Sequence, residues 1–207
     1  MRSPLLRLAA VGVAALALSG CVSLLPKSKP ADLYRFGQPL AAEAVAAPAG
    51  TVGVLRANAL FQRESSGDRL LTISQGKAAY IAETRWVAPA AVLWDAAVLA
   101  AFDSDPGHVR IISRGEPASA AYILRLDVRN FETQYDRGPK AAPVVVVRVR
   151  GALTSGTSGG VVSERIFEKR VRAADNRVSA IVPAYDKAVA DVLAEVVAWT
   201  GENAKAS

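Results

Sequence analysis

The side chain best placed for covalent chemistry is Cys21, the sole cysteine of the 207 residues. It closes Leu18-Ser19-Gly20-Cys21, behind an apolar run from Leu8 to Leu18 that follows Arg2 and Arg7. Positive charge, a short apolar run, two small residues and a cysteine make a bacterial lipoprotein signal. The run falls well short of the ~20 residues a membrane span needs, so cleavage is expected in preference to a transmembrane anchor. Residues 1–20 are thus predicted to be removed, and Cys21 to become the lipid-attachment site. A diacylglycerol thioether with an amide-linked palmitate supplies several acyl chains, which anchor stably where one chain would be marginal. With Cys21 acylated, no thiol remains for a disulfide, a metal or a nucleophile.

Other residues imitate catalytic patterns. Gly156-Thr157-Ser158-Gly159-Gly160 fits G-x-S-x-G, but that chemistry needs a strand-to-helix turn presenting the serine to a histidine. Here strand-like sequence flanks the motif on both sides. Gly151 to Ser158 imitates a phosphate loop, with Thr157 where the lysine should stand and no helix following to supply its dipole. A hairpin turn explains both matches. His108, the only histidine, follows Asp105-Pro106-Gly107 and is expected in a solvated turn. A zinc site here would need carboxylates almost alone, which is not the usual ligand set, so no metal and no cofactor is expected. The carboxylates are scattered without an evident acid–base pair. A non-enzymatic protein is expected.

The arginines invite a binding hypothesis. Arg125 and Arg129 share one face of a strand-like segment, and Arg148 and Arg150 share a face of another. A basic sheet surface would suit anionic lipid headgroups or an acidic protein face. A soluble face of mixed charge accounts for the same residues, because Asp127, Glu164 and Glu168 lie nearby, and it is the favoured reading. Arg125 and Arg129 are kept as candidate partner contacts. Nucleic acid is a poor fit, since few aromatic residues interleave the basic ones.

These residues must be carried by regular elements. Strand signals fall at residues 32–36, 51–59, 69–74 and 78–86. The clearest is 122–131, where Tyr122, Leu124, Leu126 and Val128 alternate with Ile123, Arg125, Asp127 and Arg129, giving one buried and one wet face. Segments 144–153 and 161–171 flank the glycine-rich turn and form a hairpin. Pro89 opens a helix that stops near Asp103, with Val92, Ala96 and Leu99 at helical spacing and Leu93, Ala100 and Phe102 widening the stripe. A second helix, 177–201, places Val178, Val182, Tyr185, Val189, Val192, Val196 and Trp199 on one side. A one-sided sheet and two one-sided helices bury each other. The expected fold is α+β, a two-layer sandwich of a mainly antiparallel sheet with two amphipathic helices on one face.

Residues 21–31 carry two prolines and two lysines without a period and read as a lipidated tether. A second irregular stretch, rich in alanine and proline, spans 39–50. The folded domain is assigned to 32–201 and a short tail to 202–207. Loss of the signal removes Arg2 and Arg7 and no carboxylate, so the net charge of +6 falls to about +4. Just over half the residues are apolar, enough for a core without staples.

The ordered set resembles the ABC-type transport auxiliary lipoprotein family, which includes the lipoprotein of the paraquat-inducible system. The likeness runs through the lipobox, Leu33-Tyr34-Arg35-Phe36, Arg85-Trp86 before Pro89, and the helix with Leu93 and Leu99. It continues through Ala121-Tyr122-Ile123-Leu124, Asn130-Phe131, the hairpin with Phe167, and the closing Ala198-Trp199. Ala121 departs from the pattern, where many relatives carry aspartate, so no polar role is transferred there. The resemblance implies a non-catalytic docking or accessory subunit of an MCE-type system moving phospholipid between the membranes of a Gram-negative envelope. Its implied partners are a periplasm-bridging MCE-domain protein and, indirectly, an inner-membrane ABC transporter; a homo-oligomer is compatible with these features. Val22, which lacks the aspartate that retains lipoproteins in the inner membrane of enteric bacteria, points to an outer-membrane anchor facing the periplasm. The alternative is an envelope-assembly or structural lipoprotein, similar to the lipopolysaccharide-assembly lipoprotein or a Tol-system domain, that binds a protein and moves no lipid. Trp86 is expected in the core rather than in a contact surface.

Overall fold

The computed structural model describes residues 30–37, 50–112 and 120–205. Pro30 apart, these belong to the compact unit Ala31–Ser207. Cys21, the signal residues, most of the tether and residues 39–49 lie outside the described residues.

Among the described residues, eight strands and two helices follow in order: β1 (Asp32–Tyr34), β2 (Val52–Arg56), β3 (Arg69–Ser74), β4 (Lys77–Trp86), α1 (Ala90–Asp103), β5 (Val109–Ile112), β6 (Tyr122–Gln134), β7 (Val144–Ser155), β8 (Val161–Arg172) and α2 (Val178–Asn203). Gln75 and Gly76, both at positive φ (49° and 77°), make the tight turn between β3 and β4. The long strand β6 organises the sheet. Along one edge it pairs antiparallel with β7, which pairs antiparallel with β8. Along the other it meets β2 at Tyr122–Leu124 and β3 at Thr133–Gln134, both parallel.

The sheet is therefore mixed, not mainly antiparallel as expected. The reason lies between β2 and β3, where the chain keeps its direction beside β6: Phe61 bridges to Val128 in parallel sense, and the Val128 N–H donates to the Leu60 carbonyl at 2.8 Å. β1 on β4 and β5 on β2 add two further parallel pairs. β5 is four residues long, too short for its alternation to be read in the sequence.

Leu124, Leu126, Val128 and Phe131 of β6, Val145, Val147, Val149 and Leu153 of β7 and the buried sides of both helices form one core. The change from even to odd inward positions in β6 is made by a β-bulge between Val128 and Asn130, which inserts Arg129. Helix α2 buries the stripe read from its sequence, from Val182 to Trp199. Helix α1 does not: Leu93, Trp94, Ala97, Val98 and Phe102 face the core, whereas Val92 is exposed. Its sequence is apolar all round except at Asp95 and Asp103, so periodicity gives little direction, and the bulky Trp94 takes the inner side. Helix α2 runs two residues past its expected end, and its exit is held by the His108 Nε2–H donating to the Ala204 carbonyl at 2.9 Å and by Tyr122 Oη donating to that of Lys205 at 3.1 Å.

Candidate functional site

The outer face of β6, β7 and β8 carries the arginines. Arg125 and Arg129 flank Asp127, and register sets Arg150 opposite Asp127 and Glu164 opposite Ala152. Asp127 was expected on the wet face, yet only 2% of its side chain is exposed. The segment following β2 runs over it. Its Oδ1 accepts from the Leu60 N–H at 3.0 Å and from Arg125 Nε at 2.9 Å, while Arg129 and Arg150 lie 3.7 and 3.9 Å from Oδ2. Burial alone would raise the Asp127 pKa; the Leu60 N–H, Arg125 and Arg129 outweigh it and hold the carboxyl below its ordinary value.

Charge pairing continues across this face. Arg150 meets Glu164, Arg148 and Arg170 meet Glu168, and Arg172 makes two hydrogen bonds to Asp136. The structure brings Arg125, Arg129 and Arg150 together around a single buried carboxylate. The face is a ladder of mixed charge.

The glycine-rich turn is a hairpin. A Cβ on Gly156 would collide with the Ala120 carbonyl, and the Gly156 N–H donates to Ala121 at 2.8 Å. Gly159 takes a φ of 69°. Close backbone approach thus requires glycine at Gly156, the first glycine of G-x-S-x-G, and a left-handed φ favours it at Gly159, inside the pattern. Gly151 has another role: a Cβ there would lie 2.9 Å from Phe167 and 3.2 Å from Trp199. These two rings pack edge to face at 5.5 Å, and the Trp199 indole N–H donates to Ser163. Trp86 is core, between Phe36, Phe131 and Tyr185. Among the described residues no three histidine, cysteine or carboxylate side chains gather to hold a metal ion.

One feature escaped sequence reasoning. Between α1 and α2 lies a groove of about 400 Å³, lined by Ala97, Ala100 and Ala101 of α1 and Ala190, Ala194 and Ala198 of α2. Larger apolar residues of α2 and the polar Ser104 and Asp105 complete it. The signal was present as alanines four apart on both helices, which place small residues on one stripe. The volume falls in the range of small-molecule sites. No helix among the described residues is long and apolar enough to cross a membrane.

The α+β domain thus presents a charged sheet face and a largely apolar groove between its helices. The chain belongs to the ABC-type transport auxiliary lipoprotein component family, whose model matches residues 67–197. A Xanthomonas campestris protein of family DUF330, XCC0632, has a similar fold, with a TM-score of 0.67, 22% identity and coverage of 83% of this chain and 96% of its own. An uncharacterized protein aligns at a TM-score of 0.63 and 13% identity, over 83% of this chain and 99% of its own. The hypothetical protein CT253 of Chlamydia trachomatis aligns at 0.53 and 12%, over 76% and 99%. No curated protein matches the chain.

Proposed function

We propose that this protein is an outer-membrane lipoprotein, anchored through Cys21 and facing the periplasm, that serves an ABC/MCE-type intermembrane lipid transport system as a non-catalytic docking subunit. Membership of the auxiliary lipoprotein family carries the reading. The lipid signal at Cys21 supports it by holding the domain at a membrane surface. Its direct partner is an MCE-domain protein, and the inner-membrane ABC transporter is reached through that partner. The outer sheet face with Arg125 and Arg129 is the proposed protein contact, because charged faces steer association.

Crosslinking in intact cells followed by purification of the lipoprotein tests the assignment. An MCE-domain protein in the complex is the expected result, with no turnover of esters, peptides or glycans by the purified domain. Recovery of a β-barrel or a Tol component in its place would replace the lipid-transport reading with envelope assembly. Acyl labelling tests the anchor separately: label should be lost in Cys21→Ala, and persistent label would remove Cys21 as the attachment site.

A further inference from the structure

The stretch that leads from the tether into the domain is built into the core. β1 pairs over only three residues, in parallel with Thr84–Trp86 of β4 at the end of the strand order. Phe36, two residues on, is 1% exposed, with its ring 4.9 Å from those of Trp86 and Phe131. Tyr185 of α2, 5.2 Å from Trp86, completes the socket. Gly37 then sits where the two helices converge. Its φ is 63°, its N–H donates to Asp186 Oδ1 of α2 at 2.9 Å, and a Cβ there would lie 2.7 Å from the Ala97 Cβ of α1. Gly37 also lines the alanine groove.

This hold is uneven. The β1 pairing is short and at an edge, so little backbone hydrogen bonding resists its peeling. Phe36 and Gly37 have a large apolar contact and one hydrogen bond to a carboxylate. Besides Phe36 and Gly37, only the half-buried Tyr34 packs on the core, its carbonyl accepting from the Val87 N–H at 2.8 Å, so the segment is suited to leave without unfolding the β6–β8 sheet.

We propose that residues 32–37 form a releasable strap seated against the helix pair. Seated, it fills the aromatic socket and closes one end of the groove between α1 and α2. Withdrawn, it joins the groove to the Trp86, Phe131 and Tyr185 socket as one apolar site. The device follows from the packing and does not depend on which partner the domain serves.

Hydrogen exchange on the full chain at constant pH tests it, comparing wild type with Gly37→Ala, Asp186→Ala and the control Asp191→Ala. In wild type, amides of residues 33–37 should exchange at least tenfold faster than those of β7, which marks opening below the global limit. Gly37→Ala and Asp186→Ala should speed strap exchange a further tenfold or more, leave β7 protection unchanged and increase binding of an apolar fluorescent dye. Equal protection of strap and β7 in wild type would overturn the proposal, and that comparison stands even if a variant does not fold. Uniform loss of protection in both variants would overturn it as well, because the strap would then be ordinary core.

Discussion

The two faces of the sheet solve the same burial problem with different physics. On the inner face, apolar side chains of β6 and β7 meet α1 and α2, and the one buried phenol, Tyr185, receives a hydrogen bond from Thr133 at 3.1 Å. On the outer face, long arginine stems lie across the strands and their heads find carboxylates on the next strand. Inner contacts are dry and close-packed, so a small change of volume or charge is felt strongly. Outer contacts are numerous but largely solvated, and each is worth little. Stability therefore lies with the helix side. On the outer face, exchanging one exposed ion pair for another costs little.

Val189→Asp breaks the inner face most directly. Val189 is 1% exposed, at the convergence of α1 and α2. An unpaired carboxylate there should cost several kcal/mol or force its own protonation. Urea denaturation should show a large fall in midpoint, and a small change would mean that the inner face is not the stabilising one.

Asp127 is the exception that sharpens the contrast, being a buried group on the solvated face. Asp127→Ala leaves the Leu60 N–H without its partner and should cost about 1–3 kcal/mol. The ion-pair share is discounted, because Arg125, Arg129 and Arg150 are each more than a third exposed. Since the folded carboxyl titrates below its ordinary value of 3.8, its contribution is present above that pH and is lost as pH falls through the folded pKa. The stability gap between wild type and variant should thus be full at pH 7 and narrow in strong acid. A gap that widens on acidification would reverse the assignment.

Arg125→Gln with Arg129→Gln tests the outer face as a contact surface. Charge reversal is unsuitable, because two glutamates would then crowd Asp127. The glutamine pair should melt within a few degrees of wild type yet bind the MCE-domain partner several-fold more weakly, with wild-type affinity falling as salt rises. Unchanged binding by the folded variant would take this face out of the docking assignment. The smallest effect is expected from Asp191→Ala, which removes an exposed pair with Lys187 four residues before it, worth at most about 0.5 kcal/mol. A loss comparable to that of Val189→Asp would show that the helix faces are assigned wrongly.

Seven of the eight strands, both helices and the glycine-rich hairpin were legible in the sequence alone, because each writes a local period or a turn signal. The α2 stripe was legible for the same reason: polar residues interrupt it on one side only. Trp86 as core followed from its size and its place between strand and helix. Neighbours distant in sequence decided the rest. The parallel pairing of β2 and β3 with β6 depends on the path of the chain between them, which no period records. The outer face of β6 read as uniformly wet until the segment after β2 was seen to cover Asp127, and the bulge at Arg129 changes inward parity without a local mark. Helix α1 has too little polarity to choose its own buried side, so Trp94 and the facing sheet choose it. The alanine groove and the Phe36 socket exist only where two helices and a strand end meet, and burial there is a property of the assembled layers.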